Sequence, residues 1–350
     1  MRFLQQLRFG LRVFFRHLTP QQYLRIFAFM FKRYILRRPL PFSVVFAITY
    51  KCQCGCIHCS VNDYGRCGQD LSADEVKAVI DFIADWGPVK ITFFGGEPLL
   101  RPEIPEFVAY ASAKGIRASI DTNGLNLTEE MAIKLKKAGV SNINVSVDSA
   151  EPRIHDALRG HEGCFAAAEK ALELCAREKI PCLVSTYASK RALESKDLEH
   201  IISLARRKGI DGVKVLFPIL SGKWRQEEKE RLSPEEEKYL LSLTDPSFVY
   251  IEDALEMLKK KGKGCSALEK NLIYISPYGD VQPCPAIPIS FGNIRKKKIG
   301  EIIPAMFSHP LYGKQFACQM CLMNEPGFRK LYFESKGSSA LPLAVEDFKF

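Results

Sequence analysis

The sequence predicts an α/β fold: a partial (β/α)6 TIM-like barrel, with a helical extension before it and a small β-hairpin-plus-helix unit after it. Three observations carry that reading. Six short strand-like runs alternate with capped helical stretches, as a parallel sheet with right-handed crossovers requires. The connections are short, so the crossovers curl the sheet into a barrel or an incomplete one. Residues with chemistry recur directly after the runs, at the carboxyl ends of strands, where such barrels hold their active sites.

The runs are Val44–Thr49, Lys90–Phe94, Ala118–Asp121, Asn142–Val147, Cys182–Thr186 and Val213–Phe217. Between them, Ser72 and Glu75 form a capping box for a helix ending near Gly87, and Pro102 opens a second that closes at Lys114-Gly115. Thr128 begins a third that stops at Gly139, residues 164–179 make a fourth, and Ser195 starts a fifth ending at Gly209. Beyond the barrel, Ser233-Pro-Glu-Glu236 caps a helix running to about Thr244. The chain thus divides into a basic helical extension (1–40), the barrel (41–222), a helical bridge (223–262), a C-terminal unit (263–335) and a tail (336–350). The tail either folds back over a pocket or is disordered.

With 350 residues and a hydrophobic fraction of 47%, the chain can bury one large core and a smaller one. Twelve cysteines without a secretory leader point to a reducing, cytoplasmic setting, where clustered cysteines bind metal more often than they pair. The net charge of +10 is concentrated: residues 1–50 hold nine Arg and Lys and no acid. Within residues 2–18, Phe3, Leu4, Leu7, Leu11, Phe14, Phe15 and Leu18 follow helical period, with Arg8, Arg12 and Arg16 on another face. After Thr19-Pro20 the pattern repeats in Leu24, Phe27, Phe31 and Ile35. No uncharged run reaches the roughly 18 residues of a membrane span. Two readings stand for residues 1–38: peripheral contact with an anionic membrane at its inner face, or packing on the bottom or side of the barrel with arginines facing water. Nucleic acid is not an expected partner, because nothing else extends the basic face.

The first run leads into Cys52-Gln-Cys-Gly-Cys-Ile-His-Cys59. Cys52, Cys56 and Cys59 can wrap three thiolates around one inorganic centre, whereas structural zinc and a fully ligated iron–sulfur cube each take four ligands. A zinc loop that borrows Cys54 or Cys67 is the alternative. After the second run, Phe94-Gly-Gly-Glu-Pro98 supplies two glycines that let a ligand approach the backbone, while Glu97 and free carbonyls can accept from an ammonium. Asp121-Thr-Asn-Gly124 follows the third run, Ser146-Val-Asp148 ends the fourth with Arg159 shortly beyond, and Tyr187 follows the fifth.

The Cys-x3-Cys-x2-Cys spacing with His58 before the last cysteine resembles the cluster loop of the radical S-adenosylmethionine (radical SAM) superfamily, and the resemblance covers residues 44 to about 220. It implies a [4Fe–4S] cluster on Cys52, Cys56 and Cys59 with one iron open to S-adenosylmethionine (SAM). It further implies SAM contacts from His58, from Gly95, Gly96, Glu97 and Pro98 to the amino group, and from Thr122, Asn123, Ser146 and Arg159 to ribose and carboxylate. The extra Cys54 departs from the pattern, and the fifth run lacks a glycine-rich signature, leaving the adenine contacts unassigned.

At the other end, Cys265, Gly279 and Cys284 flank a hairpin signature (Leu272–Ser276, then Pro-Tyr-Gly-Asp, then Val281), and Cys318-Gln-Met-Cys321 follows. The spacing resembles the opening of a SPASM domain in its truncated twitch form. It implies a second, auxiliary [4Fe–4S] cluster on Cys265, Cys284, Cys318 and Cys321, with a zinc ribbon as the alternative. Cys164, Cys175 and Cys182 read as small buried hydrophobes; Cys67 stays unassigned. The resemblance implies reductive cleavage of SAM to a 5′-deoxyadenosyl radical, an electron donor such as flavodoxin or ferredoxin, and hydrogen abstraction from a peptide or small-molecule substrate. The expected outcome is oxidation or crosslinking. A lipid or isoprenoid substrate at a membrane, and a zinc-stapled binding protein, are the rival readings.

Overall fold

In the computed structural model, which describes residues 18–64, 68–221, 224, 227, 230–245, 247–251, 265–313, 321–337 and 341–348, all six expected strands form. They are β1 (Ser43–Thr49), β2 (Lys90–Gly95), β3 (Arg117–Thr122), β4 (Asn142–Ser146), β5 (Cys182–Tyr187) and β6 (Gly212–Leu216), each parallel to the next. Three more extend the sheet. β7 (Val249–Ile251) adds beside β6, and β8 (Leu272–Ile275) pairs parallel with β1 while β9 (Val281–Gln282) returns antiparallel to it. The order β7-β6-β5-β4-β3-β2-β1-β8-β9 never pairs β1 with β6, so the barrel is incomplete. The hairpin was legible as a hairpin, but its pairing with the barrel edge was not. The C-terminal unit therefore continues the barrel's sheet through β8 and β9.

Alternation along the strands sorts side chains to two faces. Val44, Phe46, Ile48, Ile91 and Phe93 are fully buried in the core with Val76, Val79, Ile80 and Ile83, the apolar stripe of α2 (Ala73–Trp86). Each such side chain contributes roughly 1.5–3 kcal/mol on burial. The opposite strand face is polar: Ser119 donates to its cross-strand partner Thr92 (3.0 Å), and Asn142 donates to Asn144 (2.8 Å), which itself bonds Asp121. A barrel whose lumen is already polar is suited to a polar ligand.

The capping signals were good guides. Ser72 and Glu75 form their reciprocal box, and Gly87 ends α2 in the left-handed region. α3 (Ile104–Ala113), α4 (Glu129–Lys137, capped by Thr128), α6 (Cys164–Glu178) and α9 (Pro234–Ser242, capped by Ser233) fall close to where they were expected. One expectation is corrected. Ser195 ends a helix instead of starting one: α7 (Lys190–Glu194) is capped by Ser189, and Lys196, at φ +56°, turns the chain before α8 (Asp197–Arg207). Two barrel helices were missed, α7 and α5 (Pro152–Arg159), both too short for periodicity to register, although α5 is marked by proline at its first position. After β10 (Ile289–Ser290) come α10 (Ile299–Ser308), α11 (Pro310–Gly313) and α12 (Pro326–Lys336). The tail folds back: Leu343–Ala344 pairs parallel with β10, and Phe348 packs on Phe328.

The expected first helix of the extension lies outside the described residues, apart from Leu18. The second is α1 (Pro20–Met30), continued by a wider π turn, Phe31–Ile35, and opened by a capping box between Thr19 and Gln22. It packs on the barrel, but its arginines do not face water. Arg25 donates to the carbonyls of Ala84 (2.9 Å), Pro88 (3.1 Å) and Lys114 (3.1 Å), and Arg33 to Glu269 O (2.8 Å) and Asn271 Oδ1 (3.0 Å). These groups lie before β2, β3 and β8, at the amino ends of the strands. Charge-assisted bonds of this kind contribute ~1.5–3 kcal/mol each when geometry is good. Arg25→Ala should therefore speed amide hydrogen exchange across residues 20–35 by about tenfold or more, with smaller effects in the sheet. Unchanged exchange in α1 would show that the arginine does not anchor it.

Candidate active site

The cysteine loop leaves β1 at its carboxyl end and has little regular structure, so its shape is imposed by neighbours. Three of them hold it. Gly55 N donates to Arg159 O (2.9 Å) and Ile57 N to Leu158 O (3.1 Å), which uses the otherwise orphaned carbonyls at the end of α5. Gly96 N donates to Thr49 O (2.7 Å) and Glu97 N to Lys51 O (2.8 Å). Asn123 Nδ2 donates to Cys54 Sγ (3.5 Å) and Gln53 Oε1 (3.4 Å), with Cys52 Sγ at 3.9 Å.

The two glycines are explained by this seating. A Cβ on Gly95 would lie 2.2 Å from Thr49 O, and one on Gly96 would lie 2.2 Å from Lys51 O. The close approach that requires glycine is between β2's exit and the cysteine loop. The expectation that it is made by a ligand is corrected on that point, although both glycines also line the cleft.

That cleft, with a volume of about 120 Å³, opens at the carboxyl ends of the strands. Its walls include Cys52, Cys56, Cys59, His58, Gly95, Gly96, Thr122, Asn123, Ser146 and Arg159. Ten of the expected SAM or cluster residues thus meet in one place, from four strand ends and a helix end. Glu97 and Pro98 do not. Glu97 is fully buried behind the wall, where its carboxylate accepts from Thr122 Oγ1 (2.8 Å), Asn123 N (2.8 Å) and Leu99 N (3.0 Å). Pro98 is buried at the first position of a 3-10 turn. The direct ammonium contact expected of Glu97 is replaced by a positioning role, tying β2's exit to β3's. Asn123, expected at the ribose, is bonded to the cysteine loop instead.

Behind the sulfurs lies a buried ion network. Arg159 Nε is 2.7 Å from Asp148 Oδ2, His58 Nε2 is 3.5 Å from the same oxygen, and Arg159 Nη1 donates to Cys56 Sγ (3.8 Å). Burial works against the charge on Asp148, but Arg159, then His58 and His155, outweigh it and hold the carboxyl below its ordinary value. Burial lowers His58 to about 4, so its ring is neutral. A hydrogen bond from Cys54, opposed by burial and helped by Arg159, lowers the Cys56 thiol to about 6. The donor set therefore suits a thiolate-bound cationic centre. Three thiols of the right spacing face the cleft, and N–H donors are aimed at the sulfur atoms. Cys164, Cys175 and Cys182 are all buried as expected, and Cys164 in addition adjoins the loop, with Cys54 bonding toward it (Sγ–Sγ 3.9 Å).

Sequence reasoning assigned no role to Asp148 or Trp224. Asp148 stood in the Ser146-Val-Asp148 motif, and its strand-end position was the available signal. Trp224 lies within 5.7 Å of His58 and 6.1 Å of Tyr187, ring centre to ring centre, and gave no pattern to find. Tyr187 does point into the cleft, 4.4 Å from His58.

Of the four C-terminal cysteines, Cys265 is buried, Cys284 and Cys321 are half-buried, and Cys318 lies outside the described residues. Burial first, then the nearness of Cys284 and Cys265, raises the Tyr312 hydroxyl, so both cysteines lie near that one side chain. Cys67 also falls outside the described residues.

A family model described as the radical SAM superfamily matches residues 46–205, and one described as an iron-sulfur cluster-binding domain, SPASM, matches residues 265–322. The chain is 30% identical over 290 residues to an AdoMet-dependent heme synthase of Methanosarcina barkeri, covering 75% of this chain and 82% of that protein. It is 35% identical over 201 residues to an Fe-coproporphyrin III synthase of the same organism, covering 57% of this chain and 50% of that one. Among solved structures it is similar to Streptococcus suis SuiB bound to S-adenosylmethionine (TM-score 0.65, 15% identity, 89% of this chain, 78% of that one). It is also similar to anSMEcpe with AdoMet and the Cp18Cys peptide (TM-score 0.60, 18% identity, 84% and 96%).

Two outcomes follow for the loop's supports. Gly96→Ala should lower iron per chain by at least about half, because its Cβ would push Lys51 and the cysteine loop apart; wild-type iron content would refute the seating. Burial raises Glu97 to about 7 from its ordinary 4.5, so the folded protein holds a proton that the unfolded chain has released. Stability from this group accordingly falls as pH rises between 4.5 and 7, by at most ~3 kcal/mol. In urea unfolding, the difference between wild type and Glu97→Gln should change across that window and level off above it. Parallel curves would contradict the shift.

Proposed function

The chain belongs to the radical SAM superfamily and carries a SPASM iron–sulfur cluster-binding domain, and from that premise we propose that it cleaves SAM reductively and abstracts a hydrogen atom from an organic substrate that ends oxidised or crosslinked. The observation that carries this reading is the placement of Cys52, Cys56 and Cys59 at the cleft mouth, beside N–H donors and a solvent-accessible space. These domains carry [4Fe–4S] clusters and bind SAM, so the zinc-stapled alternative falls. We assign Cys52, Cys56 and Cys59 to the first cluster, and Cys265, Cys284, Cys318 and Cys321 to the second. When bound, the first cluster supplies the electron that splits SAM into methionine and a 5′-deoxyadenosyl radical.

The chain's own residues do the rest by placement. Gly95 and Gly96 bring their carbonyls to the wall, where they accept from the SAM ammonium, and Ser146 and Thr122 offer hydroxyls to the ribose. Arg159, kept charged by Asp148 against the opposing effect of burial, stabilises thiolate at Cys56 and attracts the SAM carboxylate. His58, Tyr187 and Trp224 pack ring on ring beside the cleft, which shields a reactive carbon radical from water. An exogenous one-electron donor of the flavodoxin or ferredoxin class completes the cycle, and a cytoplasmic setting fits these reduced clusters.

Two substrate classes follow. A peptide is the first reading; SuiB and anSMEcpe are named with peptides, but at 15–18% identity they support the fold alone. A tetrapyrrole is the second, favoured by sequence relatives named heme synthase and Fe-coproporphyrin III synthase. A lipid or isoprenoid substrate drawn from a membrane is disfavoured, because the basic extension docks at the amino ends of the strands and the cleft opens at the carboxyl ends.

Anaerobically purified protein should contain about eight irons per chain if both clusters are present. Under reductant, Cys56→Ala should abolish 5′-deoxyadenosine release, while Cys284→Ala should retain some uncoupled SAM cleavage and lose about four irons. Full activity in Cys56→Ala would remove its ligand role. Product analysis with iron-coproporphyrin and with peptides encoded beside the gene separates the two substrate readings.

A further inference from the structure

We propose that α1 with its π turn is a preformed membrane-docking face that seats the enzyme on anionic lipid with its active-site mouth turned toward water. The helix has been mounted the unusual way round. Its polar and basic side, Gln22, Arg25 and Arg33 with Phe29, faces the barrel. Its outer side presents Tyr23, Leu24, Phe27, Phe31, Tyr34 and Ile35, at the spacing of one helical stripe, with Leu24, Phe27 and Ile35 71%, 73% and 68% exposed. Of twelve exposed large apolar side chains among the described residues, nine fall between residues 23 and 42. A soluble surface scatters such residues singly; a contiguous stripe marks an interaction face.

Charge decides what covers it. The exposed Arg37 and Arg38 border the stripe, and residues 1–50 hold nine Arg and Lys and no acid. A second copy docked symmetrically would set this acid-free segment against its own image, where like charges oppose each other. Covering the stripe with residues 1–17 would add Arg2, Arg8, Arg12 and Arg16 beside the same cations without a carboxylate. An anionic lipid surface offers apolar depth for the aromatic and aliphatic side chains and phosphate for the arginines together.

The consequence is orientation. Arg25 and Arg33 fix α1 beneath β1, β2, β3 and β8 at their amino ends, and the cleft lies at the other ends of the same strands. Roughly 20 Å of strand separates the two faces, so substrate enters from the aqueous side while the enzyme is held at the surface. This inference does not depend on the substrate or on SAM chemistry.

The test is flotation of the full-length, cluster-loaded protein with phosphatidylcholine vesicles, with and without phosphatidylglycerol, alongside light scattering of the free protein. Wild type should float with phosphatidylglycerol vesicles and be released by high salt. Phe27→Glu/Ile35→Glu should reduce partitioning by roughly tenfold or more while SAM cleavage in solution matches wild type. If that pair fails to fold, Leu24→Ser/Phe31→Ser serves, with a smaller loss expected. Binding that is equal in wild type and a folded stripe variant overturns the proposal, as does wild type that floats with neither vesicle. A dimer that the stripe variant splits into monomers would show that a second copy covers the face. Binding lost on deleting residues 1–17 but kept in the stripe variants would move lipid contact off α1, and either result also overturns it.

Discussion

The seating of an irregular loop governs this structure. Eight residues bearing four cysteines have almost no hydrogen-bonded structure of their own, so their thiols are placed by main-chain bonds to the end of α5 and, through the preceding Lys51, to β2's exit. Each support solves a local problem while holding the loop. The α5 carbonyls that no helix residue can satisfy accept from Gly55 and Ile57, and the glycines at 95 and 96 exist because a backbone must pass within reach of another backbone. A metal centre assembled on such a loop inherits the rigidity of the barrel beneath it.

Glu97 and Asp148 show how buried charge is used away from the ligands themselves. Glu97 is held by three donors and raised by burial, whereas Asp148 is held down by Arg159 and two histidines against the same burial. The first joins two strand exits; the second orients the arginine beside Cys56. Neither carboxylate needs to touch SAM to matter, and both explain why the polar strand face stays ordered near the cleft. The C-terminal hairpin extends that order, since β8 lies beside β1 and β9 returns beside β8, with Cys265 before the pair and Cys284 after it.

Much of this was legible in local pattern. Period-two runs and capping residues located the strands and most helices, because caps and alternation are decided within a few residues. The Cys-x3-Cys-x2-Cys spacing located the centre. What failed had a common cause. β7 has three residues and α5 eight, too few for periodicity to register, and Ser195 looked like a cap because nothing local showed that Ser189 already served.

The sequence by itself determined the chemistry available: three thiols after the first strand, a Gly-Gly-Glu-Pro turn after the second, a second cysteine set near the C-terminus, and an acid-free amphipathic start. Tertiary structure alone decided direction. It turned Glu97 inward and Asn123 toward the cysteines, joined the C-terminal hairpin to the barrel edge, and mounted α1 with its arginines on the barrel and its aromatics outward. The physical reason is that a motif specifies which groups lie close along the chain, whereas the way each group faces is settled by the partners that other strand ends bring to it.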